Sequence, residues 1–383
     1  MMKRVISNSL LVTVSLIISF LVGEFLLRTV IFSDYFKNKI NIHYFANYYE
    51  SDNAYRILLR NQLKGREEEP IFPEFDPKLG WTAETVTKDN PLGIVTDKGY
   101  TIDEYKDKRT LLFFGDSFIE GLTDINYKIP QLLDKKLDGI SVLNFGVAGY
   151  GFDQMYLRLH SVINLFDKPH IVIGLIYPDI DRCVFKVMHS AKPYFEVEND
   201  SLVLKGVPIP ADYGKWLRLY PITIKSYLFA GFKGIIRRIL QSRFVVEHWF
   251  NFDFSESQNR KNEKKTISRM LIKKIKNECD AKESKLTFVL FPDRKNMIHR
   301  GWYEIFLKKT FTDLDIDYLD LTEPLKKYLD SNNLKWYSDL YRLRNHPDAR
   351  ENEVISGIIK NYLLNNYYIS TSIDSKKVSV SVH

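Results

Sequence analysis

Cysteine is almost absent from this chain of 383 residues: Cys183 and Cys279 are the only two. They form no Cys-x-x-Cys pair, which excludes a zinc ribbon, a thioredoxin-type redox motif and a disulfide scaffold. No His, Asp and Glu cluster has ligand spacing, so neither a metal site nor a cofactor is expected. Gly146, Gly149 and Gly151 lack the lysine of a P-loop and do not match Gly-x-Gly-x-x-Gly, so nucleotide use finds no support. A strong charge of one sign is missing too. Lys plus Arg number 55 and Asp plus Glu 48, a net of +7 spread along the chain. With no zinc-finger or basic-zipper spacing, nucleic acid is not an expected partner. Aromatic residues, by contrast, are plentiful: 25 Phe, 23 Tyr and 5 Trp. They bury much area each and leave some for a carbohydrate or membrane surface.

Charge is locally absent at the N-terminus. From Val5 to Gly23 run 19 residues without a formal charge, about 28 Å as a helix and close to the hydrocarbon thickness of a bilayer. The run exceeds the h-region of a signal peptide, and no Ala-x-Ala-like cleavage site follows it. It also lacks the polar face of a soluble core helix. A membrane anchor over 1–30 is therefore expected, with residues 5–27 in the membrane. The short basic tail, Lys3 and Arg4, favours a cytoplasmic N-terminus with the bulk of the chain outside the cytoplasm, on a bacterial inner membrane.

Residues 31–105 read as an irregular lead-in. Beyond them short apolar runs alternate with helix-compatible segments. The runs are Thr110–Phe114, Ile140–Phe145, His170–Tyr177, Leu286–Phe291 and Ile316–Leu321, and the helical segments lie at 118–138, 150–166, 265–283 and 301–312. Continuous apolar strands suit a parallel sheet buried on both faces, so an α/β, doubly wound architecture is predicted over 106–182 and 266–368. Sites in such sheets form at the carboxyl ends of strands, where Gly115-Asp116-Ser117, Gly146 to Gly151, Pro178-Asp179 and Pro292-Asp293 all fall. A large insertion over 183–265 interrupts the alternation. It holds a hairpin with its turn at Asn199-Asp200, then a basic aromatic stretch from Gly214 to Phe250, read as a helical cap near the site or lipid, or as a helical subdomain with a solvated basic face. An exposed linker is expected at 259–265 and a frayed tail at 369–383.

The chemistry points to Ser117 and a late histidine. Ser117 follows a strand and opens a helical segment, which puts its hydroxyl at the sheet edge beside unpaired helix N–H groups. A serine needs a base at neutral pH, and histidine is the usual one. Of His43, His160, His170, His189, His248, His299, His346 and His383, His346 is favoured. It precedes Asp348, an N-cap for the apolar-periodic segment Glu351 to Leu364, and is thereby held in place.

Three blocks together resemble the GDSL-type esterases of the SGNH-hydrolase family. They are Phe114-Gly-Asp-Ser-Phe-Ile-Glu-Gly121, Leu143 to Gln154, and His346-Pro-Asp-Ala-Arg-Glu-Asn352. The likeness spans roughly 80–365, and Glu24-Phe-Leu-Leu-Arg28 and Lys192-Pro-Tyr-Phe are similar to membrane-anchored bacterial members. It implies a flavodoxin-like three-layer fold and acyl-ester hydrolysis or transfer. It assigns Ser117 as nucleophile, His346 as base, and the N–H groups of Ser117 and Gly149 as oxyanion donors. Two positions depart from the pattern. Pro178 stands where the family has a donor Asn, and Arg344 and Leu343 stand where the acid should be. Asp339 is the nearest upstream carboxylate and the candidate acid; otherwise Ser117 and His346 form a dyad, with a backbone carbonyl orienting the imidazole. Asp179 and Arg182 are candidate substrate contacts, or an ion pair. Asp116 reads as structural. Three functions stay open: a membrane-tethered esterase removing acyl groups, acetyl among them, from an envelope glycan or lipid; a polysaccharide O-acyltransferase using the same residues; and a non-catalytic glycan-binding or assembly protein with a degenerate site.

Overall fold

The computed structural model describes residues 2–33, 35, 74–83, 89–96, 102–105, 108–188, 190–211, 224–240, 258–298 and 300–368. The chain divides into two compact units, one of residues 1–71, 187–191 and 210–257, the other of residues 72–186, 192–209 and 258–383.

In the first unit, helix α1 spans Met2–Ile31 and α6 spans Tyr227–Leu240. The stretch Asn8–Ile31 is long and apolar enough to cross a membrane. From Leu10 to Leu26 its leucines, isoleucines and valines are exposed, while Ile31 at its end is buried; a long exposed apolar surface is the arrangement that a lipid solvent, but not water, favours.

The second unit opens on a hairpin, β1 (Glu74–Asp76) and β2 (Gly80–Thr82), within the expected lead-in. The hairpin buries Trp81, whose indole N–H donates to Ala148 O at 2.9 Å, while the Tyr150 hydroxyl donates to Trp81 O at 2.7 Å. Five strands then build the sheet: β3 (Thr110–Phe114), β4 (Ser141–Asn144), β5 (His170–Leu175), β8 (Leu286–Leu290) and β9 (Asp317–Asp320). All pairings are parallel, in the order β4-β3-β5-β8-β9. This is the flavodoxin-like doubly wound order, with its switch point between β3 and β5.

The strands lie where their apolar runs predict, because both faces are covered. Leu111 and Phe113 point to a layer containing Ile129 and Leu133 of α3 (Ile129–Lys136) and Ile355 and Ile359 of α11 (Ala349–Leu363). On the other face Phe288 meets Phe152 of α4 (Phe152–Val162) and Phe311 of α8 (Trp302–Asp313). Alternate side chains entering alternate layers is the period-2 geometry of a strand. The insertion's hairpin is β6 (Tyr194–Glu198) and β7 (Ser201–Lys205), turned by Asn199 and Asp200 at φ 48° and 58°. Two consecutive positive φ values make the turn that matches strand twist.

One boundary moves. The run at 259–265 is no exposed linker: it is the start of α7 (Gln258–Ala281), where the buried Lys264 ammonium donates to Asp181 at 2.5 Å. The charged pattern read as solvated because its partner lies 83 residues away. Lys192 is likewise buried, with its Nζ on Asp153 and on the carbonyls of Phe185 and Pro193. Breaking such a pair typically costs about 3–5 kcal/mol, because one charge stays buried alone. The tail at 369–383, and the parts of the basic stretch at 214–223 and 241–250, fall outside the described residues. Cys183 and Cys279 are free and buried.

His170, at the start of β5, sits between the Tyr368 hydroxyl (Nδ1, 2.8 Å) and the Thr287 hydroxyl (Nε2, 2.9 Å). Burial, with the Lys285 ammonium nearby, pushes its pKa down to about 3. Unfolded, the ring takes a proton near pH 6.5. The stabilisation is therefore full above pH 6.5 and lost as pH falls toward 3. Urea unfolding at pH 7 and pH 4.5 should show the wild type losing about 2–3 kcal/mol more than His170→Gln over that interval. Equal losses would mean that His170 is not held neutral.

Candidate active site

Ser117 opens α2 (Ser117–Glu120) directly beyond β3, at the switch point. Asp116 caps this turn: its Oδ1 accepts from Phe118 N at 2.9 Å. The next loop packs against it so tightly that a Cβ on Gly146 would lie 2.2 Å from Glu120 N. Only glycine fits there. Glu120 fastens the loop by accepting from Ala148 N at 2.5 Å, and Asn144 donates to Ile119 O at 2.9 Å. Gly149 then turns through φ 77°, a left-handed conformation that a side chain would strain. Among the described residues, the N–H groups of Ser117 and Gly149 donate to no protein acceptor. Both are available to a developing oxyanion.

The structure brings Ser117 and His346 together across 229 positions of chain, with Oγ 2.7 Å from Nε2. The opposite ring nitrogen, Nδ1, is 3.0 Å from Arg344 O. A carbonyl oxygen only accepts, so Nδ1 carries the proton of the neutral ring and Nε2 offers its lone pair to the serine. The carbonyl reaches the ring because Arg344 and Asn345 adopt φ 52° and 65°. That tight turn is closed by Leu343 N on His346 O at 3.1 Å and His346 N on Leu343 O at 2.9 Å.

Three supports hold the turn. Asp348 caps α11, exchanging bonds of 2.9 Å with Glu351 in a capping box. Glu351 Oε1 also accepts from Tyr341 N at 2.7 Å. Arg294, beyond β8, clamps the loop from its other side, donating to Leu340 O and Tyr341 O at 2.8 Å each and to Asn345 Oδ1 at 3.0 Å. The Phe118 ring lies 5.1 Å from the imidazole. Arg294 escaped sequence reasoning; its one signal was a position just past a strand's carboxyl end.

The structure does not bring the Asp339 carboxylate to the imidazole. That carboxylate faces its own helix, α10 (Trp336–Asp339), accepting from Lys335 N at 2.8 Å and Ser338 Oγ at 3.2 Å. The Arg344 carbonyl occupies the place at Nδ1 instead. Asp179 is not a substrate contact either, because its carboxylate is fully buried. It accepts from Ile176 N at 2.9 Å, at the start of α5 (Tyr177–Arg182). Arg182 Nη1 ties it at 2.8 Å, and ties Asp116 Oδ2 and Tyr150 O at 3.0 Å each. Burial, then repulsion from Asp116, raises the Asp179 pKa well above the usual carboxylate range. Arg182 thus braces the strand end behind Ser117, the ion-pair alternative of the sequence. Pro178, in the first turn of α5, supplies no side-chain donor. Of the other histidines, His170 is the buried residue described above and His160 pairs with Glu278 at 3.0 Å. The remaining five lie outside the described residues.

No family model and no curated protein matches the chain. Solved structures do. One is a member of the lipolytic G-D-S-L family from Veillonella parvula, 12% identical, covering 68% of this chain and 98% of that one at TM-score 0.34. A second is a catalytic mutant of an acetylxylan esterase from Geobacillus stearothermophilus, 14% identical, covering 67% and 93% at 0.36. A third is an acetylxylan esterase from the rumen bacterium Butyrivibrio proteoclasticus, 10% identical, covering 70% and 65% at 0.34. What the site can do follows from its own distances.

The geometry separates three substitutions by their effect on serine reactivity. His346→Ala should lower the rate of reaction with an activated ester by about 10³-fold or more. Asp339→Asn, and Arg344→Gly, which keeps both the carbonyl and the positive φ, should stay within about threefold of wild type. Loss of activity in Asp339→Asn matching that in His346→Ala would restore the carboxylate as the third member.

Proposed function

We propose that this protein is a membrane-tethered serine esterase that hydrolyses acyl esters, acetyl among them, on an envelope glycan or lipid. The observation that carries the reading is the 2.7 Å contact between Ser117 Oγ and an imidazole Nε2 whose other nitrogen is fixed by a carbonyl.

The steps follow from these atoms. Ser117 Oγ attacks the ester carbonyl carbon as its proton passes to His346 Nε2. The oxyanion that forms takes the N–H groups of Ser117 and Gly149. The imidazolium keeps its Nδ1–H on Arg344 O and returns the Nε2 proton to the departing alcohol. Water repeats the sequence on the acyl-enzyme and frees Ser117. A carbonyl orients the ring as a carboxylate would, but it brings only a dipole to the imidazolium. In a serine protease of unrelated fold, wrong-tautomer chemistry lowers kcat by about 10⁴; the Arg344 carbonyl avoids that loss by selecting the Nδ1–H form. The side-chain donor absent at Pro178 is worth about 10²–10³ in rate elsewhere, so turnover is expected to be slow.

The apolar Asn8–Ile31 segment supports tethering. The short basic tail before it supports a cytoplasmic N-terminus with Ser117 on the far side of the membrane.

Full-length protein in detergent should label with a fluorophosphonate, and Ser117→Ala should not. Given a nitrophenyl acetate donor, it should release acetate at a rate unchanged by added glycan. Equal labelling of wild type and Ser117→Ala would remove Ser117 as nucleophile. Acetate appearing on the glycan instead of in solution would make the protein a transferase.

A further inference from the structure

Helix α6 (Tyr227–Leu240) begins on a shared cap: Ser226 Oγ accepts from Phe229 N at 3.1 Å, and α1 supplies the rest. Glu24, near the end of α1, accepts from Ser226 Oγ at 2.9 Å, Tyr227 N at 2.9 Å and Leu228 N at 2.8 Å. The last two are N–H groups that a helix start otherwise leaves unpaired. Arg28, one turn on, donates to Glu24 at 2.7 Å and to Lys225 O at 3.0 Å, and its guanidinium lies 5.0 Å over the Tyr227 ring. Phe32 meets the same ring edge-on at 5.5 Å. The start of α6 is thus fastened to the last two turns of α1.

What α6 turns outward is apolar. Phe229, Phe232, Ile235 and Ile239 are 56%, 60%, 49% and 58% exposed, at spacings of three, three and four residues, one stripe of a helix. Tyr227 and Gly234, on the other side, are buried. The helix carries Lys233, Arg237 and Arg238 and no acid. Lys233 Nζ lies 5.7 Å over the Phe229 ring, at the border of the stripe.

An apolar stripe edged with cations, starting where an apolar spanning helix ends, fits one surface. We propose that α6 is an in-plane membrane helix, its Phe229–Ile239 stripe sunk into the interface of an anionic bilayer and its basic residues on lipid phosphates. This rests on reading α1 as the membrane span. The clamp at Glu24 fixes α6 at the depth where α1 leaves the hydrocarbon, and the absence of acids on α6 suits negatively charged headgroups.

The test uses the full chain in nanodiscs of phosphatidylcholine with phosphatidylglycerol, carrying an environment-sensitive dye at F232C or at L16C. Spin-labelled lipids quench from near the headgroup or from near the acyl terminus. The dye at F232C should be quenched about twofold more by the shallow label than by the deep one, and the dye at L16C the reverse. Lys233→Glu with Arg238→Glu should reduce shallow quenching at F232C by about twofold, with fluorophosphonate labelling unchanged. If L16C is quenched and F232C is not, the proposal fails while the anchor stands. If neither is quenched, the anchor reading itself fails. Protection of F232C from an aqueous quencher without lipid, by a second copy of the chain, would also overturn the proposal.

Discussion

The site depends on a hydrogen bond from a ring nitrogen to a peptide carbonyl. His346 can accept a proton from Ser117 only while Nδ1 keeps its own, and Arg344 O at 3.0 Å ensures that it does. In a more usual arrangement a carboxylate fills that place. Here the backbone does, and the local structure is built around making a carbonyl point the right way. Arg344 and Asn345 take left-handed conformations that are unfavourable for residues bearing a Cβ. The turn tolerates them because its ends are closed by two backbone bonds and its flanks are held by Arg294 and Glu351. Removing the flanks would leave a strained turn without a reason to persist.

Beneath Ser117 a second constraint operates. Asp116 and Asp179 are two carboxylates almost wholly buried at adjacent strand ends, and Arg182 is the cation between them. Two buried anions at one sheet edge would repel each other. A guanidinium serves both because its geometry can be shared, which a lysine's point charge does less well. The flavodoxin-like strand order places these groups together: Asp116 follows β3 and Arg182 follows β5, the two strands that flank the switch point.

Much of this was legible in the sequence. The five strands announced themselves because a parallel sheet covered on both faces needs uninterrupted apolar runs, and Thr110–Phe114 and His170–Leu175 have no polar alternation to confuse the reading. Ser117 and His346 stood out because a strand end and a capped helix mark where side chains are held. The third partner of the imidazole stayed open between Asp339 and a backbone carbonyl, since a carbonyl belongs to every residue and no residue type reports which one. Asp339 is near in sequence and turned away in space. The β1–β2 hairpin was missed because three-residue strands carry no period, and Lys192 and Lys264 because a lysine's burial depends on a partner tens of residues distant. Long-range pairing of this kind is what composition and spacing leave unsaid.

The tautomer of His346 tests the account most directly. Nitrogen-15 NMR of imidazole-labelled protein, with His346 assigned by its loss in His346→Ala, reads which ring nitrogen bears the proton at neutral pH. The account requires the proton on Nδ1 and an unprotonated Nε2 that responds to Ser117→Ala. A neutral ring protonated on Nε2 would leave the serine facing a donor, and acyl chemistry through this pair would be ruled out.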